Sequence, residues 1–255
     1  MNAFYSMKYN NNTYKVICVL PAYNAEKTLK NTVAEIDREW VDNIILVDDC
    51  SKDDTVKLAK QLGIEHIIEH RENLGYGGNQ KTCYRKALEL NADIIVMVHP
   101  DHQYNPKLIP QMITPLMNKQ CDAVFGSRML GGEFFQGGMP RWKFYANIML
   151  TAFANMILGI YLTEFHTGFR AYSKYYLESI NFNNNSNNFV FDTEIIIQGI
   201  HKKMKFHEIP IDTRYFEEAS QINLFNSIRY GLGILKRLFI YKLFSAGIIK
   251  HSLFK

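Results

Sequence analysis

The chain has 255 residues, enough for one large domain or a domain with an appendage. Hydrophobic residues at 47% and charged residues at 21% exclude a disordered chain and predict a packed core. A net charge of +4 is too weak to argue for nucleic acid, but it is unevenly placed: residues 219–255 hold no Asp or Glu, yet carry Arg229, Lys236, Arg237, Lys242, Lys250 and Lys255.

Residues 1–14 are polar and Asn-rich and read as a loose tail, without the apolar core of a signal peptide. Residues 15–20 (KVICVL) predict a first strand, stopped by Pro21. Residues 26–39 predict a helix, apolar at Leu29, Val33 and Ile36. A second strand, 43–47, ends in Asp48 and Asp49. Residues 54–62 predict a helix with Gly63 just past its end. A short third strand at 64–68 and a helix at 79–90 follow. Residues 94–98 (IIVMV) form an apolar run expected to be a strand buried on both faces. A helix at 106–118 and a strand at 123–125 complete the series. Strands and helices alternating at this spacing predict an α/β fold with a mostly parallel, helix-covered sheet.

The composition changes near residue 145. Residues 145–162 predict a strongly apolar helix, interrupted by Asn147 and Asn155. The Asn-rich stretch 181–188 reads as a surface loop. Residues 189–201 predict a helix starting near Asp192, 205–211 a late strand, and 223–253 an apolar, basic helical segment broken at Gly231, Gly233 and Gly247. No uninterrupted apolar run reaches the ~18 residues of a spanning helix, so any membrane contact is expected to be peripheral. Cys18, Cys50, Cys83 and Cys121 are far apart, which predicts reduced thiols in a cytoplasmic protein rather than a zinc or redox site.

Chemistry gathers at three strand ends. The first strand runs into PAYNAE (21–26), the second into VDDCSKDDT (47–55), and the fourth into His99, Asp101, His102 and Gln103. Ligands bind where the carboxyl ends of parallel strands meet, so these tips imply one shared crevice. Asp101 and Gln103 are oxygen ligands, which suits Mg²⁺ or Mn²⁺ holding a diphosphate. Each piece alone has an ordinary reading: Asp-Asp as a helix cap, Pro-Asp as a turn, and residues 73–79 (NLGYGGN) as a flexible connection.

Together the blocks VLPAYNAE, ILVDDCSKDDT, ENLGYGGNQKT, HPDHQ, VFGSRMLGG, HTGFRAYS and FDTEI resemble the family 2 glycosyltransferases over about residues 15–216. The likeness is to the dolichol-phosphate mannosyltransferase-like and bacterial polyprenyl-phosphate branch. It implies a single Rossmann-like nucleotide-sugar-binding domain of the glycosyltransferase A type, followed by C-terminal amphipathic helices. The resemblance assigns Pro21, Ala22, Tyr23, Glu26, Asp48 and Asp49 to the nucleoside of a UDP- or GDP-sugar, and Asp101 and Gln103 to a Mg²⁺ or Mn²⁺ ion. His99 stands where the family has its first acid. It can hydrogen-bond the nucleotide or ligate a metal, and ligation would favour Mn²⁺.

Arg128 matches a position facing the diphosphate, and Arg141 and Arg214 match further phosphate-binding arginines. A guanidinium fork suits phosphate, although each could equally make a surface salt bridge. Arg170, in HTGFRAYS, falls on the acceptor side or in a structural ion pair. Asp192 matches the catalytic base of relatives that use hydroxyl acceptors, and Glu194 a second acidic position. Both also suit the dipole at a helix start.

These matches imply an inverting, metal-dependent transfer of a sugar to a polyprenyl phosphate, with Asp101, Asp192, Arg128 and Arg214 in the reacting centre. Transfer to a hydroxyl of a surface glycan or lipid-linked saccharide is the second reading. A nucleotide-sugar-binding protein without turnover is the third. A nucleotidyltransferase would need a Gly-rich, Lys/Arg-bearing loop directly after the first strand, and PAYNAE is not one. The expected organisation is a tail (1–14), a catalytic domain (15–216) and a basic apolar helical tail (217–255) touching the inner face of a membrane. A homodimer stays open, and no nucleic-acid partner is expected.

Overall fold

The computed structural model describes residues 14–131, 141–214 and 224–254. The expected N-terminal tail, Tyr14 apart, and the boundary at 216/217 lie outside them.

The order along the chain is β1 (Val16–Ala22), α1 (Glu26–Ala34), β2 (Asn43–Asp48), α2 (Thr55–Gln61), β3 (His66–Glu69), α3 (Tyr76–Glu89) and β4 (Ile94–Met97). A 3₁₀ turn at Pro106–Leu108 leads into α4 (Ile109–Met117), then β5 (Ala123–Ser127), the single turn α5 (Arg128–Gly131) and α6 (Arg141–Leu158). The rest is β6 (Arg170–Ser173), α7 (Lys174–Ser179), a 3₁₀ turn at Phe182–Asn184, α8 (Phe191–His201), β7 (Phe206–Pro210), α9 (Leu224–Ser245) and a terminal 3₁₀ turn at Ser252–Phe254. The sheet has the order β3-β2-β1-β4-β6-β5-β7, parallel except for β6. This is the α/β, mostly parallel architecture expected from the sequence.

Strand alternation divides the core in two. Ile17, Val19, Ile45 and Ile95 face the layer formed by α3, α6, α8 and α9. Cys18, Leu20, Ile44 and Val96 face α1, α2 and α4. β1 is buried at all seven positions and runs through Pro21, past the expected stop. Pairing with β4 ends at Val19, whereas pairing with β2 continues to Ala22. The missing N–H of Pro21 therefore falls beyond the end of the β4 ladder.

Several expectations are corrected. β6 is absent from the expected strands because RAYS carries no apolar run, yet it lies in the middle of the sheet, antiparallel to both neighbours. α1 stops at Ala34, and Ile36 is buried from the turn that follows. α3 starts at Tyr76 rather than 79, its first turn holding Gly77 and Gly78. Asn147 and Asn155 leave α6 unbroken; Asn155 instead ties down the return loop through Leu162 N (3.0 Å) and Leu162 O (2.8 Å). Gly231 and Gly233 leave α9 continuous. A Cβ on Gly233 would lie 2.6 Å from Val190 Cγ2, so its small size lets α9 approach α8. Gly247, at φ +73°, stands just after its end. The C-terminal segment packs into the domain, with Ile234, Leu238, Leu253 and Phe254 in the core. Among the described residues no helix is long and apolar enough to cross a membrane.

Candidate active site

The tips of β1, β2 and β4 open into a cleft of about 580 Å³. One wall carries Pro21, Ala22, Tyr23, Asp49, His99, Asp101 and Gln103, all from the expected strand ends. Arg128, Trp142, Asn147, Leu150, His166 and Tyr230 come from α5, α6, the loop before β6, and α9; Tyr76, Phe189 and Asp192 complete the lining. Of the residues singled out in the sequence, Glu26, Asp48, Arg141, Arg170, Glu194 and Arg214 do not line it.

The paired aspartates do different work. Asp49 accepts from Leu74 N (2.8 Å), Gly75 N (2.9 Å) and His70 Nδ1 (2.8 Å). It thereby fixes the turn that aims α3 at the cleft. Gly75 sits there at φ +82°, and a Cβ would lie 2.7 Å from Asn187 O, so a side chain fits neither the dihedral nor the space. Asp48 accepts from the amide and hydroxyl of Ser51. Glu26 accepts from Asp54 N at 3.2 Å and so braces the same loops from outside.

Asp101 accepts from Gln103 N at 3.1 Å, and burial pushes its carboxyl up to about 6 against the pull of its backbone hydrogen bonds. His99 stacks on Tyr76 with centroids 5.4 Å apart, and its Nε2 stands 3.3 Å from the Tyr76 hydroxyl. Burial, and then the charge of Arg170, push His99 down to about 4, so its imidazole is neutral at pH 7. No cluster of three His, Cys, Asp or Glu side chains able to hold a metal occurs among the described residues.

Arg128, Arg170 and Arg214 are already engaged. Arg128 pairs with the fully buried Glu164, its Nε 2.8 Å from Oε1, and donates to His166 O at 2.9 Å. Asn147 donates to the same carboxylate at 2.7 Å. Burial pushes Glu164 up, but the Arg128 charge and these hydrogen bonds outweigh it and hold the carboxyl below its ordinary value. Arg141 is exposed at the start of α6. Arg170 is fully buried and donates to Thr167 O (2.7 Å), Phe165 O (3.0 Å) and Asp192 O (3.0 Å). It lies behind the cleft wall. Arg214 donates to Glu35 Oε2 (3.1 Å) and His102 Nε2 (2.6 Å), while its amide donates to Gln103 O at 2.9 Å.

Asp192 and Glu194 leave α8 in different directions. Glu194 accepts from Ser186 N and Oγ and pairs with Arg237 Nε of α9 at 2.6 Å, which anchors the last helix. Asp192 reaches the cleft. Its Oδ2 accepts from Tyr76 OH (2.8 Å), its Oδ1 from Gln80 Nε2 (3.3 Å), and Arg170 Nη1 lies 3.6 Å from Oδ1. Burial raises its pKa, with Arg170, Tyr76 and Gln80 pulling the other way.

Sequence reasoning missed Tyr76, Phe189, His166 and Tyr230 as cleft residues. Tyr76 is hidden in a stretch whose glycines read as a flexible connection, and Phe189 borders an Asn-rich loop. His166, in the HTGFRAYS block, is the one with a visible signal.

Residues 17–180 match the glycosyl transferase family 2. The chain belongs to this family. The glycosyltransferase is 32% identical over 244 residues to the UDP-N-acetylglucosamine–dolichyl-phosphate N-acetylglucosaminyltransferase of Methanococcus voltae, covering 89% of this chain and 96% of the relative. It is 25% identical over 206 residues to the undecaprenyl-phosphate mannosyltransferase of Micrococcus luteus, covering 77% and 82%. A solved structure of glucosyl-3-phosphoglycerate synthase from Mycobacterium tuberculosis, in complex with Mn²⁺, UDP-glucose and phosphoglyceric acid, matches with a TM-score of 0.70 at 20% identity, over 94% of this chain and 82% of that one. The glycosyltransferase thus has the A-type fold that its sequence blocks implied.

Proposed function

We propose that this glycosyltransferase moves a sugar, with inversion, from a nucleoside-diphosphate sugar to a polyprenyl phosphate. The observation that carries this reading is the surface onto which the cleft opens. Trp142 and Leu150 of α6 and Tyr230 of α9 line the cleft. Beyond them Tyr145, Met149 and Met156 on α6, and Ile228, Leu232 and Phe239 on α9, lie exposed at helical spacing. Neither helix holds an Asp or Glu, while α9 adds Arg229, Lys236 and Lys242. An exposed apolar face with basic and no acidic side chains suits a bilayer with anionic headgroups, and an isoprenoid chain leading from the cleft into it. The printed activities of the Methanococcus and Micrococcus relatives support the same acceptor class.

In this reading Pro21, Ala22, Tyr23 and Asp49 hold the nucleoside, with Glu26 and Asp48 shaping the loops around it. Asp101 and Gln103 hold Mg²⁺ or Mn²⁺. The donor set fits: a largely buried carboxylate with one backbone donor, next to an amide, is a site that a hard cation shared with a diphosphate would complete. Such a cation, when bound, supplies charge neutralisation on the leaving diphosphate. Arg128 lies on the opposite wall for the same diphosphate. Arg141 and Arg214, at the rim, are available to an arriving phosphate once Arg214 leaves Glu35. Arg170 and Glu194 act through Asp192 and α9.

A lipid phosphate is anionic at neutral pH and needs no general base, whereas a hydroxyl does. The presence of Asp192 on the cleft favours the hydroxyl as second reading. The test incubates the purified protein and Mn²⁺ with radiolabelled UDP-N-acetylglucosamine, UDP-glucose or GDP-mannose, with and without polyprenyl phosphate. Acid-labile label in an organic extract is the expected result. Label appearing only in water-soluble glycan would replace it with the hydroxyl reading.

A further inference from the structure

Tyr76 has no part in the roles above, yet it touches two of the residues that do. It stands in the first turn of α3, its ring held between His99 (centroids 5.4 Å apart) and Phe189 (4.4 Å). Burial, and next the charge of Asp192, push its phenol well above the ordinary value. It is therefore a neutral group with a single hydrogen to give. Asp192 Oδ2 lies 2.8 Å away and His99 Nε2 3.3 Å away. The shorter contact is the one to the carboxylate, which makes it a charge-assisted hydrogen bond. Gln80 Nε2 meets the other oxygen of Asp192, with Arg170 behind it.

We infer that Tyr76 is a specificity-determining positioning residue, which caps Asp192 so that the carboxylate does not serve as a base for water or a sugar hydroxyl. The cleft is left selective for acceptors that arrive already anionic. This inference rests on the lipid-phosphate reading and deepens it. The reaction held back is donor hydrolysis: a water oxygen bonds to the anomeric carbon, the bond from that carbon to the diphosphate oxygen breaks with its electron pair leaving on the diphosphate, and the water proton passes to Asp192. Burial raises the proton affinity of Asp192, and the hydrogen bonds from Tyr76 and Gln80, one on each oxygen, pull against that and occupy the positions a substrate proton would approach. With a phosphate acceptor the same carbon–oxygen bond breaks and a new one forms, but no proton has to move.

The experiment measures free sugar released from radiolabelled UDP-N-acetylglucosamine and Mn²⁺ without acceptor, and lipid-linked label with polyprenyl phosphate, for wild type, Tyr76→Phe, Gln80→Met and Tyr76→Phe/Asp192→Asn. UDP binding by calorimetry reports that each variant is folded. Tyr76→Phe keeps the ring between His99 and Phe189. It is expected to raise hydrolysis roughly tenfold, the size of one lost hydrogen bond to a charged group. The double variant is expected to return to the wild-type level, and Gln80→Met to show a smaller rise. Unchanged or slower hydrolysis in Tyr76→Phe with UDP binding intact overturns the inference, as does a rise that survives Asp192→Asn. If Tyr76→Phe does not bind UDP, Gln80→Met decides, and no rise there counts against it. An Asp192-dependent rise without lipid-linked label from wild type would remove the lipid-phosphate reading and leave the cap standing.

Discussion

Gly168 lies flat against His99. A Cβ at position 168 would stand 2.7 Å from His99 Nε2 and 3.3 Å from the Tyr104 ring. The loop before β6 and the tip of β4 are thus matched in shape. Gly168→Ala should displace the imidazole, cost about 1–3 kcal/mol of stability by overpacking, and slow transfer. Adding His99→Ala should recover much of the lost stability, because the two changes share one clash. Urea midpoints of the four proteins check this; strictly additive losses would deny the contact.

Asp101→Asn removes the carboxylate from the proposed cation site. The variant should lose Mn²⁺ binding in a spin-resonance titration and lose metal-dependent transfer, while keeping its circular dichroism spectrum. A titration indistinguishable from wild type would move the cation elsewhere.

Asp192→Asn leaves the buried Arg170 without its carboxylate neighbour. Breaking a buried pair in this way costs about 3–5 kcal/mol. Denaturant unfolding should show a loss approaching that range, while transfer to polyprenyl phosphate persists. Persisting stability with abolished transfer would instead mark Asp192 as the base.

Two histidines make stability depend on pH. His99 and His166 are each pushed down from 6.5 to about 4, mainly by burial. The unfolded chain therefore binds more protons between these values, and stability is lost as pH falls from 6.5 towards 4. Asp101, pushed up from 3.8 to about 6, acts in the opposite sense over much of that window. His166→Gln should flatten the fall by roughly one proton's worth of slope. Urea midpoints from pH 4.5 to 7 test this, and parallel curves for the two proteins would refute it.

Met149 and Met156, 72% and 70% exposed on α6, offer a membrane test that spares the core. Deleting the C-terminal segment would not serve, since Ile234, Leu238, Leu253 and Phe254 are packed inside. Met149→Glu/Met156→Glu should keep UDP binding but lose flotation with vesicles containing anionic phospholipid. Flotation equal to wild type would discard the α6 face as the docking surface.

β4 reads clearly in the sequence because it is buried on both faces. Ile94, Ile95, Val96 and Met97 need no partner to be recognised, because a short, continuous, β-branched apolar run is stable only where both of its faces are covered. β6 defeats the same logic. Arg170 is fully buried there only because backbone carbonyls and Asp192 surround its guanidinium, and those groups come from residues 165, 167 and 192. Arg214 shows a related limit: its match to a phosphate-binding position is visible, but its pairing with Glu35, 179 residues away, is not. Asp101 is legible from residue type alone, whereas the tie between Tyr76 and Asp192, 116 residues apart, requires the fold.

Because β6 runs against its neighbours, the end at Arg170 lies beside Met97, at the rim where the other strands finish. The preceding loop, with Glu164, His166 and Gly168, is thereby inserted into the cleft from a different stretch of chain than the one that forms the β1, β2 and β4 tips. The two walls are separately editable. A lineage could rewrite residues 159–169 and the adjoining helices to suit a new acceptor while the nucleotide half stayed as it was.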